Sequence, residues 1–279
     1  MKTIPDTLLR DFKLWLYEAE RSENTISKYI RDVRRFSEWL GCDELHKPAV
    51  LRYKKELSRC FAPASVNSVL SSLNTFFTFI GRGELRIKTL KIQHHIFSDP
   101  AKELTKNEYQ RLLRAAQNNR NERLFLLMQT ICSTGIRVSE LRYITVEAFK
   151  LKFASINCKG KLRVIILPDA LCLRLKKYAR EQKIKSGSVF ISKNGNPLDR
   201  TNIWSEMKKL CKSADVPEGK VFPHNLRHLF ARTYYASEKD IVRLADILGH
   251  ASINTTRIYT TEDGTIHRKQ IQKLGLLRL

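Results

Sequence analysis

Apolar side chains recur at helical spacing through the first 80 residues, in successive blocks that each begin or end at a recognisable signal. This periodicity predicts amphipathic helices, each with one buried face. Gly41 and Gly81 end two of the blocks, and glycine commonly ends a helix because it adopts the left-handed conformation without strain. The sequence therefore predicts an N-terminal bundle of four helices. The blocks cover 6–20, 22–40, 48–58 and 63–80.

The chain is strongly basic, and its charge is uneven. It has 51 Lys and Arg against 28 Asp and Glu, a net charge of +23. Residues 1–100 have a net charge of +5 and residues 101–279 of +18. A chain this basic is expected to bind a polyanion, most often nucleic acid. We therefore expect phosphate contacts mainly in the second part, together with the basic face of the second helix. That face comprises Lys28, Arg31, Arg34 and Arg35.

Several classes of protein are disfavoured by what the sequence lacks. The six cysteines form no Cys-x-x-Cys pair, and no acidic cluster has magnesium-ligand spacing, so we expect no metal site. The sequence has no glycine-rich phosphate-binding loop, so we expect no nucleotide cofactor. The polar residues 1–10 do not resemble a signal peptide, and no run of 18 apolar residues predicts a membrane span. Cytoplasm is the simplest predicted location.

The second part begins after a stretch without sustained periodicity. We predict a helical domain at 1–85, a linker at 86–102 and a second domain at 103–279. Thr105 and Glu108 have the spacing of a helix capping box. Two β-rich runs, 153–158 and 162–168, predict a hairpin. The fold class is therefore mainly α with a small antiparallel β-sheet. Further predicted elements are helices at 122–134, 200–214, 224–237, 239–248, 252–260 and 264–274, a short helix starting at Val138 and a short strand at 188–192.

The residues suited to phosphate chemistry lie in short motifs of the second part. His224 and Arg227 are three residues apart at a predicted helix start, so their side chains share one face. Arg137 lies at a junction between helices, and a guanidinium binds phosphate oxygens as a permanently charged fork. Glu140, one turn later, is a candidate for orienting Arg137. Each of these also has a structural interpretation as an ordinary helix-end or solvated residue.

Three further candidates complete this set. His250 directly follows the glycine of a predicted tight turn, which can aim an imidazole at a site. Tyr259 offers a phenol, whose developing negative charge nearby cations can stabilise; the alternative is a core tyrosine packed by Ile253 and Ile258. Lys159 lies at the predicted hairpin tip and is a candidate proton donor. Lys161 and Arg163 are its rivals there, and both are also predicted to contact DNA.

In combination these motifs resemble the tyrosine recombinase (phage integrase) family, and the match is closest to its short Xer-like and transposon integrase members. The motifs, in order, are TGIRVSEL at 134–141, the lysine hairpin, HNLRH at 224–228, LGH at 248–250 and Tyr259. The N-terminal part, notably SENTISKYIRDVRRFSEWL at 22–40, resembles the SAM-like core-DNA-binding domain of that family. The resemblance implies a catalytic α+β domain at 103–279, and it covers nearly the whole chain.

The resemblance also implies a mechanism and partners. Tyr259 would attack a DNA phosphate to give a 3′-phosphotyrosyl link, and Arg137 and Arg227 would hold that phosphate. Lys159 would protonate the leaving oxygen, and His224 and His250 would assist proton transfer. Neither metal nor ATP would be needed. Family members recombine specific double-stranded DNA sites as tetramers through a Holliday junction. The resemblance implies that the last segment, 264–279, forms a tail helix that docks onto a neighbouring protomer; packing on its own domain is the alternative.

Two other interpretations remain open from the sequence. A DNA-binding protein without catalysis would share the basic charge and the helices, but it would not need the set Arg137, Lys159, His224, Arg227, His250 and Tyr259. A type IB topoisomerase would use similar phosphotyrosine chemistry. The two-domain layout and the short segment after Tyr259 favour a recombinase over a topoisomerase.

Overall fold

The computed structural model of the chain describes residues 4–92, 101–158, 161–192, 194–250, 252–259 and 272–273. The chain divides into two compact units, Met1–His94 and His95–Leu279. The fold class predicted from the sequence is confirmed: the described chain is mainly helical, and its sheet is a two-stranded antiparallel pair. No helix in the described ranges is long and apolar enough to cross a membrane.

The first unit is the predicted helical bundle, and its helices lie close to their predicted positions. They are α1 (Asp6–Glu18), α2 (Glu23–Leu40), α3 (Lys47–Cys60) and α4 (Pro63–Phe79). Each helix contributes its apolar face to one core, which is rich in aromatic rings such as Phe12, Phe36 and Phe76. Gly41 follows α2 with a φ of 58°. A side chain is disfavoured at that φ, so the glycine ends the helix there.

The segment after α4 is bound to the bundle surface. Asn74 accepts a hydrogen bond from the amide of Ile87, and Asn67 does the same for Leu90. Ile87 is buried in the core of the bundle. The stretch that the sequence pattern marks as a linker, 86–102, therefore begins as part of the first unit. Residues 93–100 lie outside the described chain.

Lys28 forms hydrogen bonds within the bundle, whereas the sequence predicted a contact with DNA. Its ammonium donates to the Asp32 carboxylate at 2.6 Å, the Ser68 carbonyl at 2.9 Å and the Ser72 hydroxyl at 2.9 Å. These three bonds use all three N–H donors of a lysine and join α2 to α4. The Asp32 carboxylate is buried, so the ammonium also neutralises a charge inside the bundle. Arg31, Arg34 and Arg35 remain exposed on α2.

The second unit packs nine helices and one hairpin around its own core, counted over the described residues. Its helices are α5 (Lys106–Asn118), α6 (Glu122–Thr134), α7 (Val146–Leu151), α8 (Asp169–Glu181), α9 (Arg200–Lys209), α10 (Cys211–Ala214), α11 (Pro223–Glu238), α12 (Ile241–Leu248) and α13 (Ile253–Thr256). The strands are β1 (Phe153–Cys158) and β2 (Lys161–Ile166). Its short 3₁₀ turns cover Val138–Tyr143, Glu218–Lys220 and Arg257–Tyr259, and a further 3₁₀ turn at Gly83–Leu85 belongs to the first unit.

Most predicted elements of this unit are present, with some differences, one of which is that the six-residue α7 was not predicted. The capping box is confirmed, since Thr105 accepts from the Glu108 amide while Glu108 accepts from the Thr105 amide. The short helix predicted from Val138 is a 3₁₀ turn, and the strand predicted at 188–192 forms only isolated bridges. Helix α8 was not predicted, although Leu171, Leu175 and Tyr178 recur at helical spacing and are buried.

Helix α11 connects the start of this unit to its centre. Asn225 donates to the Lys102 carbonyl at 2.9 Å, and Arg232 donates to the Leu104 carbonyl at 2.7 Å and pairs with Glu103. The inner side of α11 packs against the buried α6. The helix that carries His224 and Arg227 is therefore fixed both to the entry of the unit and to its core.

Candidate active site

Arg227 lies at the centre of the candidate site and is buried, with 1% of its surface exposed. Its guanidinium donates to the Gly135 carbonyl, to the Leu248 carbonyl at 2.8 Å and to Nε2 of His250 at 3.0 Å. Removal from water and the charge of Arg137 lower its pKa to about 10, so it stays cationic at neutral pH. Arg227 thus joins the ends of α6 and α12 and supplies a fixed positive charge between them.

The Gly135 turn is shaped for this arrangement. Gly135 ends α6 with a φ of 64°, and a Cβ there would lie 2.5 Å from the ring of Phe230 on α11. Only glycine allows both this conformation and this close approach. Because α11 can approach so closely, Arg227 reaches the Gly135 carbonyl, and Arg137 follows two residues later.

Arg137 and Glu140 form the second part of the site. Glu140 is buried and accepts from Nη1 and from the backbone amide of Arg137, each at 2.9 Å. The Arg137 side chain is 40% exposed, so the guanidinium retains an open face towards solvent. Glu140 therefore holds both the backbone and the guanidinium of Arg137.

The bonds of His250 determine its tautomer. A guanidinium is always a donor, so Nε2 of His250 accepts from Arg227, and Nδ1 therefore carries the proton and donates to Oγ1 of Thr256 at 2.9 Å. Desolvation and the neighbouring cations lower the pKa of His250 to about 4. His250 is therefore neutral at pH 7. The contact of Thr256 with His250 was not predicted, because only its position six residues after His250 could have indicated it.

Tyr259 lies in the site of its own chain and is buried, with 4% exposed. Its ring packs edge-on to His228 at 4.9 Å and faces His250 at 6.0 Å between centroids. Its phenol lies close enough to Arg227 to offset part of the lowering of the Arg227 pKa. The ring also packs against Ala231, Leu244 and Leu248, whereas Ile253 and Ile258, the packing partners expected for a core tyrosine, are exposed.

Two histidines of α11 complete the described cluster. The rings of His224 and His228 are 4.4 Å apart between centroids. Desolvation, followed by the charges of Arg227 and Arg137, lowers the pKa of His224. Desolvation also lowers the pKa of His228, to about 4. The contact of His228 with Tyr259 was not predicted. Only the position of His228 one helical turn after His224 could have indicated it.

We expect these neutral imidazoles to make stability depend on pH. Between pH 6.5 and about 4 the unfolded chain binds protons at His228 and His250, while the folded protein does not. Lowering the pH through this window therefore favours unfolding, by about 1 kcal/mol or more per imidazole at pH 5. Thermal unfolding followed by circular dichroism from pH 7 to 5 measures the decline.

His228→Gln is expected to flatten part of this decline. His46→Gln is the matched control, because His46 is an exposed histidine of the first unit. It should leave the dependence unchanged. A His228→Gln profile parallel to that of the wild type would contradict the prediction.

The remaining predicted site residues are Lys159, Lys161, Arg163 and the tail. Lys159 and the tail 264–279 fall outside the described chain, except for 272–273. Lys161 is the first residue of β2. Arg163, predicted to contact DNA, instead points inward: it pairs with Glu140 at 3.0 Å and donates to the Ile247 carbonyl at 2.7 Å. The predicted DNA contact of Arg163 is wrong: the sequence placed Arg163 with Lys161 near the hairpin tip, whereas the pleat of β2 turns its side chain to the inner face.

The cluster therefore brings two guanidiniums, neutral imidazoles and a phenol together. This set defines the class of protein: an enzyme that attacks a phosphodiester with a tyrosine. Among the described residues, no group of three or more His, Cys, Asp or Glu is arranged to hold a metal ion.

Comparison with known proteins assigns the chain to a family. The model of the phage integrase family matches residues 102–265, and that of the phage integrase N-terminal SAM-like domain matches residues 9–83. The chain belongs to the phage integrase family of tyrosine recombinases. It is 29% identical to the tyrosine recombinase XerA of Pyrococcus furiosus over 99% of this chain and 96% of that protein.

Solved structures share the fold. The lambda integrase dimer bound to a COC′ core site is similar with a TM-score of 0.72, at 18% identity over 91% of this chain and 94% of that chain. The lambda integrase tetramer bound to a Holliday junction gives a TM-score of 0.70, at 18% identity over 91% of this chain and 76% of that chain. Identities this low establish the likeness of fold alone.

Proposed function

We propose that this protein is a site-specific DNA recombinase, which cleaves and rejoins DNA through a 3′-phosphotyrosyl intermediate and exchanges strands through a Holliday junction. One observation carries the proposal: within one chain, the buried Tyr259 packs on His228 and His250, in a cluster with the buried Arg227 and an exposed face of Arg137. Integration, excision, inversion or resolution would then follow from the arrangement of the DNA sites.

The chemical step uses each member of the set once. The Tyr259 oxygen attacks the scissile phosphorus, and the bond from phosphorus to the 5′ oxygen breaks. The phenolic proton passes to a neutral imidazole. His224 is one candidate, and His250 is the other once Arg227 turns from its Nε2 to the phosphate. The departing 5′ oxygen takes a proton from Lys159, a role implied by the family resemblance. Attack by that 5′ hydroxyl on the phosphotyrosine reverses the step, so the bond energy is kept and ATP is not needed.

The two arginines stabilise the charge that develops on the phosphate. Arg137 and Arg227 would each donate to a non-bridging oxygen, whose negative charge grows in the pentavalent transition state. Arg227 works from a buried position where few waters screen its charge. The same charge favours the phenolate form of Tyr259 during attack.

Two exposed surfaces are proposed to contact the DNA backbone. The first is the α2 face with Arg31, Arg34 and Arg35. The second is α9, where Arg200, Trp204 and Lys208 follow one another at helical spacing on one face. Trp204 is 48% exposed, and the Lys208 ammonium lies 5.1 Å from its ring. Arg200 is close enough to His224 for its charge to contribute to the lowered pKa of that histidine. The net charge of +18 in residues 101–279 supports the second surface.

The partners follow from the reaction. Double-stranded DNA with specific core sites is the proposed substrate, and a homotetramer on that DNA is the proposed active assembly, as in the lambda integrase tetramer. The tail 264–279 is proposed to dock onto a neighbouring protomer. Because the substrate is the cell's own or a mobile element's DNA, we propose a cytoplasmic location.

Covalent capture of DNA tests the proposal and separates it from a binder without catalysis. We expect the wild-type chain, incubated with a nicked suicide DNA that carries its core site, to give a detergent-stable adduct. Peptide mapping by mass spectrometry should place the nucleotide on the peptide that contains Tyr259. DNA retention that detergent fully reverses, on a site that the protein binds specifically, would indicate a binding protein instead.

A further inference from the structure

The C-terminal end of α12 binds three arginines through three successive carbonyl groups. These carbonyls have no partner within their own helix, and they form the negative end of its dipole. Guanidiniums are the donors best suited to that end, since they are cationic and carry several N–H groups. The bonds are Arg163 Nη2 to Ile247 at 2.7 Å, Arg227 Nη2 to Leu248 at 2.8 Å and Arg137 Nη2 to Gly249 at 3.4 Å.

Arg163 differs from the other two arginines because its side chain is enclosed. It is 11% exposed, and its partner Glu140 is 7% exposed. Its Nη1 donates to Oε2 of Glu140 at 3.0 Å, and the same carboxylate accepts two bonds from Arg137. Arg163 therefore fixes the carboxylate that orients Arg137, without an open face of its own for DNA.

Arg163 also lies against the turn that presents His250. A Cβ at Gly249 would lie 2.4 Å from Cδ and 2.8 Å from Nε of Arg163, and Gly249 has a φ of 63°. The backbone of the turn thus touches the Arg163 side chain directly. Since Arg163 belongs to β2, its guanidinium ties the hairpin, the 3₁₀ turn with Glu140 and the end of α12 together.

We propose that Arg163 is a positioning residue of the phosphate site, which holds Arg137 and the His250 turn in their catalytic geometry without touching the DNA. This inference rests on the proposed function. The guanidinium spans Glu140 and Ile247 with two different nitrogens. A lysine at 163 has one nitrogen and could not reproduce both bonds at those separations.

Single-turnover cleavage of the suicide DNA by Arg163→Gln tests the proposal. We expect the rate of adduct formation to fall about 10- to 100-fold, because small displacements of catalytic groups cost about that much. DNA affinity should change less than about threefold, since other cations supply the backbone contacts. Arg163→Lys should recover part of the rate. Arg180→Gln, an exposed arginine of α8, is the matched control for loss of charge and should cleave at the wild-type rate.

Two results would overturn the proposal: wild-type cleavage by Arg163→Gln, or a loss of DNA affinity that accounts for its loss of rate. A substrate with sulfur at the 5′ bridging position adds a second readout, because its thiolate leaves without a proton. The defect should persist on that substrate, since Arg163 acts on the phosphate-binding groups. Full recovery there would place its action in leaving-group protonation and overturn the inference.

A measurement without DNA keeps the inference distinguishable from the proposed function. The ring ¹⁵N signals of His250 report its bonds to Arg227 and Thr256, and we expect them to shift in Arg163→Gln but not in Arg180→Gln. Unchanged signals would overturn the positioning role. If the wild-type chain gives no adduct while these signals do shift, the proposed function fails and the positioning of His250 by Arg163 still holds.

Discussion

With Tyr259 replaced by Phe, the protein is expected to bind its DNA site and to leave no covalent adduct. The phenol oxygen is the proposed nucleophile, and its removal leaves a ring that keeps the packing against Leu244 and Leu248. Loss of a nucleophile costs at least about 10³-fold in rate. Denaturing electrophoresis of the suicide-substrate reaction measures the adduct.

Tyr235→Phe is the matched control for this substitution. Tyr235 is a partly buried tyrosine of α11 that packs on the same small apolar cluster. It should give the wild-type yield of adduct. An undiminished yield from Tyr259→Phe, or a loss of yield confined to Tyr235→Phe, would move the nucleophile to another residue.

Arg227→Gln is expected to lose both cleavage and part of the stability. The guanidinium holds two buried carbonyls and Nε2 of His250, and a glutamine cannot reach all three. Buried acceptors left without a donor cost about 1–3 kcal/mol each, so we expect a loss of at least about 2 kcal/mol. Removing a charge that stabilises the transition state should slow cleavage by at least about 10²–10³-fold. Urea unfolding and single-turnover cleavage measure the two effects.

Arg227→Lys separates the two roles of this residue. It keeps the positive charge but not the fork of donors, so we expect some recovery of DNA affinity and little recovery of cleavage. Arg232→Gln provides the comparison: this largely buried arginine of the same helix bonds to Glu103 and Leu104 away from the cluster. It should lower stability with a much smaller effect on the rate of the folded protein. Equal losses of rate in the two glutamine variants would contradict a catalytic role for Arg227.

The sequence predicted the elements of the fold well where local signals were strong. The helices of the first unit and α6 carry strong apolar patterns, and α2, α4 and α6 are also followed by glycine, so their observed bounds lie within a few residues of the predicted ones. The prediction failed where local signals were weak. Helix α8 follows directly after a strand without a strong cap, and the run at 188–192 is β-rich but pairs only through isolated bridges.

In the candidate site, too, the sequence predicted some features and not others. The residue types at Arg137, His224, Arg227, His250 and Tyr259 were visible as motifs. The orientation of basic residues was not, because a lysine or arginine looks the same in sequence whether it faces solvent or a buried carboxylate. Lys28 bonds to Asp32 on its own helix, and Asp32 is buried where Ser72 of α4 donates to it. Arg163 bonds to Glu140 and Ile247, which are 23 and 84 residues away.

The sequence by itself determined the helical units, the hairpin and the identity of the groups that can bind and attack a phosphate, because these depend on local periodicity and on side-chain chemistry. Tertiary structure alone decided how those groups are held. The end of α12 meets α6, α11 and β2 only after folding, and its three unpaired carbonyls then bind Arg137, Arg163 and Arg227. This packing desolvates His250 beside cations, so that it is neutral, and it places Tyr259 near Arg227. Contacts between residues so far apart in the chain leave no local signal, since each bond forms between elements whose own sequences are independent.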